Sequence, residues 1–273
     1  MKLACVIVLY NPTDHEINKI RRYRFIFDDI IVVDNSDNAH NIFSRYKNIK
    51  YIPLYKNTGI ANAQNIGIYT AIDLGYDWVM TLDQDSDITE KCVDHLKDTI
   101  RSRVDSTIAI VAPVFDEITS DDEIEYCQSV ISSGSVLSTM VFKEVGGLLT
   151  DLFIDLVDNE YCIRIISKGY SIIRCNTAKF THNISGLKYD NGSYIVSYPA
   201  LRCYYFIRNA LIIIKMYEDN LEYTKEIRRV LYSYMEYVLT SSDCEKKEYL
   251  KFAFSDYIRW DETGELRCSI DIY

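Results

Sequence analysis

The sequence predicts an α/β protein with a mixed, mainly parallel sheet flanked by helices and with a helical C-terminal region. Two observations support this fold class. Over the first 85 residues, apolar β-rich runs alternate with amphipathic segments, as in consecutive β-α-β units. From about residue 198 the pattern becomes helical and rich in Tyr. We therefore expect a sheet domain of residues 1–197 and, packed on it, a helical extension of residues 198–273.

The first third of the chain supplies the strands and helices of the expected sheet. Continuous apolar stretches suit strands that are covered on both faces, and they occur at 3–10, 29–35 and 76–83, with a weaker one at 50–57. Helices are expected over residues 14–27 and 59–74, the second from its 3.6-residue apolar spacing. We expect Thr58 to cap the start of the second helix and Gly75 to cap its end.

Beyond Asp85 the alternation is less regular. The expected helices cover residues 89–102 and 158–168, and the expected strands are 108–114, 129–139 and 170–175. In parallel α/β sheets, ligands bind beyond the carboxyl ends of the strands. Asp34 and Asp83 each stand at the end of a predicted strand, so we expect them to face one crevice.

Composition excludes some functions. The net charge of -10 argues against a nucleic-acid-binding protein, which needs a basic surface to hold phosphates. The eight Cys residues are scattered without a C-x-x-C pair, and the N-terminus resembles a strand more than a signal peptide. This pattern favours reduced thiols in a cytoplasmic protein. No segment has the roughly 20 apolar residues of a membrane span.

The stretch VMTLDQDSD, residues 79–87, contains three closely spaced carboxylates: Asp83, Asp85 and Asp87. Carboxylates this close repel one another and need an offsetting charge. An EF-hand is excluded, because Ile88 and Asp94 occupy the positions where that loop needs Gly and Glu. Three interpretations stay open: a polar loop that caps the next helix, a phosphatase of the haloacid dehalogenase type, and a divalent cation that bridges the protein to a diphosphate. In the phosphatase, Asp83 would be the nucleophile and Asp85 the acid/base.

Six segments resemble, in order, the motifs of the family 2 glycosyltransferases, and among these most closely the bacterial rhamnosyltransferase-type subgroup. They are VIVLYNP (6–12), VVDNSDN (32–38), NTGIANAQNIGI (57–68), TLDQDSD (81–87), FIDLVDNEYCIR (153–164) and YYFIRNALI (204–212). The resemblance implies the Rossmann-like GT-A fold. It also implies an inverting, metal-dependent enzyme that transfers a sugar from a nucleoside diphosphate.

The resemblance further implies the substrates and the cofactor. The donor would be dTDP-L-rhamnose, with a UDP-sugar as the alternative. The acceptor would be a hydroxyl of a bacterial surface-polysaccharide precursor, which could be lipid-linked. Mn²⁺ or Mg²⁺ would be the cofactor, since hard cations share carboxylate and phosphate ligands. Apart from the resemblance, residues 198–258 are rich in Tyr and contain Lys/Arg pairs, which suits either an amphipathic helical cap on the sheet domain or contact with a membrane surface, here the inner face of the plasma membrane.

By the same resemblance, individual residues have implied roles. Asp34 would accept a hydrogen bond from the imide N–H of uracil or thymine, and Asp83 would contact the ribose. Asp85 would hold the metal, together with His182. The other implied nucleotide-binding residues are Tyr10, Asn57, Gly59, Asn65 and Arg208, the last as a clamp on the diphosphate.

Several of these residues also have a structural interpretation. Asp34 could be a solvated turn residue, Gly59 could serve only a tight turn, and Asn65 could be a polar residue on a helix face. Similarly, His182 could be structural, and Arg208 could be a surface residue whose apolar stem lies along the helix.

The implied general base is Asp158, which would take the proton of the acceptor hydroxyl. It is assigned by aligning VDNEYCIR on Arg164, although Val157 replaces the first acid of the family pattern. Asp155 and Glu160 are close in sequence, so the choice among these carboxylates stays open. An acidic helix N-terminus without catalytic function is the alternative. A non-catalytic sugar-nucleotide-binding module would not need Asp158.

Overall fold

The computed structural model describes residues 1–39, 42–103, 105–115, 122–180, 187–190, 193–196, 199–266 and 268–270, with only the backbone for 115, 187–190 and 193–196. These residues form two compact units. Unit 1 contains the described residues of Met1–Thr150 and Asp158–Asn183, and unit 2 contains those of Asp151–Val157 and Ile184–Tyr273.

Unit 1 is built around an eight-stranded sheet. Its strands are β1 (Leu3–Leu9), β2 (Ile30–Asp34), β3 (Ile49–Pro53), β4 (Trp78–Asp83), β5 (Ile108–Phe115), β6 (Ile124–Cys127), β7 (Val136–Ser138) and β8 (Ser171–Phe180). Their spatial order is β3-β2-β1-β4-β7-β5-β8-β6. The pairs β1–β2, β2–β3, β1–β4 and β5–β8 are parallel, while β7 and β6 pair antiparallel with their neighbours. The predicted α/β class and mainly parallel sheet are confirmed.

Helices cover the sheet of unit 1. They are α1 (Asp14–Tyr23), α2 (Ile60–Asp73), α3 (Glu90–Arg103), α4 (Thr139–Val145) and α5 (Val157–Ser167), which begins at the boundary with unit 2. Every residue of β1 and β2 is buried, as their continuous apolar sequences predict. Helix α2 packs closely on β1, because Gly67 has no side chain: a Cβ there would lie 2.3 Å from Val6 Cγ1.

The start of α2 differs from the prediction. Its N-cap is Gly59 rather than Thr58, with φ of 82° and ψ of 157°, a conformation that glycine adopts far more readily than other residues. Thr58 instead donates its hydroxyl to Asn35 Oδ1 at 3.0 Å. The end agrees with the prediction: Gly75 has φ of 79°, and its N–H donates to the carbonyl of Ile72 at 3.0 Å.

Between residues 103 and 180 the structure departs further from the expected elements. The predicted strand 129–139 is reduced to β7, because the chain before it turns at Gly134, where φ is 83°. Ser138 then caps α4, a helix that was not predicted. Strand β6 was also not predicted, and β8 runs to Phe180 instead of ending at residue 175. In the first half, α1 ends at Tyr23 rather than at residue 27.

Unit 2 contains three long helices, α6 (Ala200–Met216), α7 (Leu221–Thr240) and α8 (Cys244–Thr263). It also contains an antiparallel hairpin of β9 (Leu187–Asp190) and β10 (Ser193–Val196), which was not predicted. The predicted helical character of the C-terminal region is confirmed from residue 200. Tyr204 and Tyr205 of α6 are buried packing residues, as expected. Within the described part of the chain, we find no helix with both the length and the apolarity to cross a membrane.

Candidate active site

Two predicted site residues lie at the same edge of the sheet in unit 1. Leu9 of β1 is opposite Asp34 of β2, and Val8 of β1 is opposite Asp83 of β4. Since neighbouring strands are about 4.8 Å apart, the two strand ends are separated by about 10 Å. The expected shared edge is confirmed, and β1 ends between the two carboxylates.

Asp34 is buried and held in a fixed orientation. It is 3% exposed, and its Oδ2 accepts a hydrogen bond from the Tyr51 hydroxyl at 2.6 Å. Its Oδ1 accepts one from the backbone N–H of Ser36 at 3.1 Å. Because each carboxylate oxygen has two lone pairs, both can accept a further hydrogen bond. This environment excludes the interpretation as a solvated turn residue.

Asn35 organises the loop that leads into α2. Its Nδ2 donates to Asn57 Oδ1 at 2.9 Å, and its Oδ1 accepts from the backbone N–H of Thr58 at 2.8 Å. Asn57 Oδ1 also accepts from the backbone N–H of Gly59 at 3.1 Å. The amide oxygen of Asn57 is thus engaged within the loop. Sequence reasoning did not identify Asn35, although it lies within the quoted motif VVDNSDN.

The side chain of Gln84 links the ends of β1 and β4 through two hydrogen bonds. Gln84 Oε1 accepts from the backbone N–H of Tyr10 at 2.8 Å, and Gln84 Nε2 donates to the Tyr10 carbonyl at 3.1 Å. The backbone N–H of Asp83 donates to Ser133 Oγ at 3.0 Å. Asp83 is half-buried, Asp85 is exposed, and Tyr10 is 45% exposed. The role of Gln84 could not be predicted, since it depends on the pairing of β1 with β4.

A buried lysine lies within electrostatic range of the carboxylate cluster. Lys19 of α1 is 2% exposed; burial lowers its pKa, and the charges of Asp87 and Asp85 oppose that effect. The Tyr23 hydroxyl lies 3.3 Å from Asp87 Oδ1. Lys19 is therefore one group through which positive charge could act on Asp85 and Asp87.

The side chains present fit a cation that shares its ligands with a substrate. Among the described residues, no group of three or more His, Cys, Asp or Glu could hold a metal ion. Asp83 and Asp85 offer hard carboxylate oxygens. Mg²⁺ and Mn²⁺ are commonly bound by one or two such groups, with phosphates and water in the other positions. His182, the other predicted ligand, lies outside the described residues.

Two of the three candidate bases are paired with arginine. Glu160 is fully buried, and its two oxygens accept from Arg164 Nε at 2.9 Å and Arg164 Nη2 at 2.8 Å. Asp155 forms an ion pair with Arg202 in unit 2. Burial raises the pKa of Asp155, and the neighbouring guanidinium opposes this effect. Both carboxylates thus have strong charged partners.

Asp158 has a different environment. It stands in the first turn of α5 and is half-buried. Its Oδ1 accepts from the N–H of Asn159 at 2.9 Å, and its Oδ2 accepts from the N–H of Ser132 at 3.3 Å. It also lines a cavity of about 20 Å³ with Gln64 and Ser132, about the volume that one water molecule needs.

Two predicted nucleotide-binding side chains are engaged with the backbone instead. Asn65 donates to the carbonyl of Leu148 and accepts from its N–H, both at 2.8 Å, and so links α2 to the loop after α4. Arg208 is 2% exposed and donates to the Asp151 carbonyl at 2.8 Å and to the Tyr204 hydroxyl at 3.2 Å. This geometry departs from the predicted diphosphate clamp, and burial excludes the alternative of a surface arginine.

Comparison with known proteins agrees with the fold. Residues 16–130 match glycosyl transferase family 2. The chain is 28% identical to the dTDP-rhamnosyl transferase RfbF of Shigella flexneri in an alignment that is 276 positions long. The alignment covers 91% of this chain and 92% of that protein.

Solved structures are similar at lower identity. GalNAc-T7 with UDP, GalNAc and Mn²⁺ has a TM-score of 0.60 at 14% identity, covering 97% of this chain and 57% of that one. Residues 1–349 of S. aureus TarS give a TM-score of 0.59 at 14% identity, covering 95% of this chain and 80% of that one. At such identity these structures establish a common fold alone.

The fold and these matches define an enzyme of the GT-A glycosyltransferase class. Residues 16–130 match glycosyl transferase family 2, and most of the chain is similar to a dTDP-rhamnosyl transferase, which together support a family 2, rhamnosyltransferase-like glycosyltransferase. The predicted family and enzyme class are confirmed. These matches favour a glycosyltransferase over the phosphatase considered for the carboxylate motif and over the non-catalytic binding module.

Proposed function

We propose that this glycosyltransferase transfers L-rhamnose from dTDP-L-rhamnose to a hydroxyl of a bacterial surface-polysaccharide precursor, with inversion at the anomeric carbon. The observation that carries the proposal is the sheet register that brings Asp34 and Asp83 to either side of the end of β1. The similarity to a dTDP-rhamnosyl transferase supports the choice of donor.

Donor binding is proposed to use the edge of unit 1. Asp34, fixed by Tyr51, accepts a hydrogen bond from the imide N–H of thymine. The exposed ring of Tyr10 stacks on the base, and Asp83 contacts the ribose. The loop that contains Asn57 and Gly59 leads into α2, where free backbone N–H groups favour an anionic ligand. Asn65 and Arg208 are proposed to support loops rather than to touch the donor.

Asp85 is proposed to hold Mn²⁺ or Mg²⁺ together with oxygens of the donor diphosphate. When bound, such an ion supplies Lewis-acid stabilisation of the leaving nucleoside diphosphate. Lys19, whose pKa is influenced by Asp85 and Asp87, is proposed to add positive charge near the same loop. His182 stays a proposed second ligand.

Asp158 is proposed as the general base. The acceptor hydroxyl oxygen forms a bond to the anomeric carbon on the face opposite the diphosphate. The bond from that carbon to the diphosphate oxygen breaks, and dTDP leaves with the electron pair. The hydroxyl proton passes to the Asp158 carboxylate. The arginine partners of Glu160 and Asp155 support this choice, because carboxylate oxygens that are held by a guanidinium group are less available to an acceptor hydroxyl.

We propose that residues 1–197 bind the donor and carry out catalysis, and that residues 198–273 form a supporting extension.

The enzyme is proposed to act in the cytoplasm, at the inner face of the plasma membrane when its acceptor is lipid-linked. Exposed apolar side chains on α7 and α8, including Tyr232, Leu239 and Ile258, support peripheral contact. Flotation with anionic vesicles tests this contact: replacing Leu239 and Ile258 by Asp should abolish binding, and unchanged flotation contradicts it.

The proposed function is tested by incubating the enzyme with dTDP-L-rhamnose and a panel of octyl glycosides, with Mn²⁺ or EDTA, while dTDP release is measured. We expect metal-dependent release that increases with a suitable glycoside. Product NMR should show the anomeric configuration opposite to that of the donor. Turnover with UDP-sugars alone would instead favour the UDP-sugar alternative. Turnover with none of these donors would contradict the proposal.

A further inference from the structure

The segment before α5 has an unusual backbone conformation. Phe153, Asp155 and Leu156 have φ values of 63°, 65° and 61°, in the left-handed region that side-chain-bearing residues rarely adopt. Such strained residues persist only where their surroundings over-determine the conformation, and they cluster at functional sites. This segment ends two residues before Asp158 in the chain.

Within unit 2, one amide group of α6 binds this segment. Asn209 is fully buried, and its Nδ2 lies 2.8 Å from the carbonyl oxygen of Leu152, 2.8 Å from that of Ile154 and 2.9 Å from that of Asp155. The two N–H groups of this amide thus lie within hydrogen-bond distance of three carbonyls of the segment.

Arg208 fixes the orientation of the Asn209 amide. Its Nη2 and Nε donate to Asn209 Oδ1 at 2.8 and 3.1 Å, so the amide oxygen faces the guanidinium and the amide nitrogen faces the segment. Arg208 Nη2 also donates to the Asp151 carbonyl at 2.8 Å. The Tyr204 hydroxyl accepts from Arg208 and donates to the buried carboxylate of Asp256 at 2.6 Å, which places a negative charge near the buried guanidinium.

We infer that Asn209, oriented by Arg208, is a positioning residue that holds the segment before α5 in its left-handed conformation and so sets the orientation of the Asp158 carboxylate for proton transfer. This inference rests on the proposed role of Asp158 as the base. Neither side chain touches substrate in this account. The acidic segment therefore depends on α6, a helix more than 40 residues further along the chain.

The test compares Asn209→Ala with Thr224→Val. Thr224 is a fully buried polar residue of α7 in the same unit, and its described hydrogen bonds go to Leu221 and Arg228. We expect Asn209→Ala to lower kcat for dTDP-L-rhamnose at least tenfold, with the donor KM changed less than twofold. Thr224→Val should lower the Tm but change kcat less than twofold. Equal kcat losses in the two variants would overturn the inference.

A double-mutant cycle separates positioning from general destabilisation. In an Asp158→Asn background, Asn209→Ala should lower the residual rate by less than twofold, since the base through which Asn209 acts is already absent. A further tenfold loss would overturn the inference. Arg208→Lys keeps the buried charge but loses the planar fork, so it should lower kcat less than Asn209→Ala does, again with little change in the donor KM. This variant replaces Asn209→Ala if Asn209→Ala does not fold.

Hydrogen exchange supplies a readout that is independent of turnover. Asn209→Ala should accelerate amide exchange in a peptide spanning residues 152–160 at least tenfold, and Thr224→Val should leave that peptide unchanged. Unchanged exchange in Asn209→Ala overturns the inference on its own. A wild-type enzyme without turnover of any sugar nucleotide overturns the proposed function instead, so the two failures are distinguishable.

Discussion

At the scale of single residues, Asp34 shows how a neighbouring side chain orders a proposed binding group. Its carboxylate is buried, and the 2.6 Å hydrogen bond from Tyr51 fixes its orientation and offsets part of its desolvation. A hydrogen bond to a charged group contributes about 1.5–3 kcal/mol. Asp34 can therefore present an ordered acceptor to a pyrimidine imide before any ligand arrives.

Removing either partner should weaken nucleotide binding to different degrees. We expect Asp34→Ala to raise the Kd for dTDP at least tenfold, because the imide loses its acceptor. Tyr51→Phe should raise it by a smaller factor, because the carboxylate stays but is less ordered. Isothermal titration with dTDP measures both. A Kd unchanged in Asp34→Ala would remove Asp34 from the site.

Neutralising Asp158 and neutralising Glu160, both in α5, should affect different properties of the enzyme. Asp158→Asn should lower kcat by about two orders of magnitude or more, as expected for loss of a general base, with little change in Tm. Glu160→Gln should instead lower stability by roughly 1–3 kcal/mol, because Arg164 loses its buried charged partner. Steady-state kinetics and thermal unfolding separate the two effects. A larger kcat loss in Glu160→Gln would reassign the base.

Asp155 should make stability depend on pH. Burial raises its pKa in the folded state, so the folded protein binds this proton more tightly than the unfolded chain does. The corresponding stabilisation is present below the unfolded value of about 3.9 and is lost as the pH rises through the folded pKa. The free energy of unfolding of wild type relative to Asp155→Asn should therefore decrease between pH 4 and pH 7. An increase over this range would contradict the assignment.

At the scale of elements, the turn into α2 has a backbone requirement that only glycine meets easily. Gly59 has φ of 82° and ψ of 157°, outside the left-handed helical region as well as the usual ones. Its N–H is held by Asn57, whose amide is held by Asn35. The conformation of this loop therefore controls where the N-terminal N–H groups of α2 point.

Gly59→Ala and Gly75→Ala form a matched pair, since both glycines have positive φ at opposite ends of α2. Both substitutions should destabilise the protein by about 1–3 kcal/mol. Only Gly59→Ala should also raise the Kd for dTDP, because only that turn lies at the proposed site. Chemical denaturation and titration with dTDP measure the two effects. Equal Kd values in the two variants would place the α2 N-terminus outside the site.

The elements that could be predicted are those whose signal is local. Strands β1, β2 and β4 are continuous apolar runs, and α2 has clear helical spacing, so their positions and the carboxylates at their ends followed from the sequence. Strand β6 (IEYC) has no buried run, and β7 is only three residues long. Such edge and bridging strands are defined by their partners, which periodicity does not report.

In the candidate site, too, the residues with a local sequence signal were predictable and the others were not. Asp34 and Asp83 were found because they end strands. Lys19, Asn35 and Gln84 were missed because their roles come from contacts between segments distant in the chain. The diphosphate role predicted for Arg208 was not supported, since only the packing of unit 2 shows that its guanidinium is buried among backbone carbonyls.

At the scale of the whole molecule, the net charge of -10 opposes the binding of an anionic nucleotide. The cation proposed at the carboxylate edge would reverse this repulsion where the diphosphate is proposed to bind. We therefore expect nucleotide affinity to depend on a divalent ion, and binding of that ion to depend on Asp85.

The most direct test is the thermal midpoint with dTDP, in Mn²⁺ and in EDTA, for wild type, Asp85→Ala and Asp87→Ala. At a hundredfold excess over Kd, binding stabilises the native state by about 2.7 kcal/mol, or about 5–10 °C for a chain of this size. Wild type and Asp87→Ala should show this shift only with Mn²⁺, and Asp85→Ala should not show it. An equal shift in EDTA, or one retained in Asp85→Ala, would contradict the metal-dependent site proposed at the end of β4.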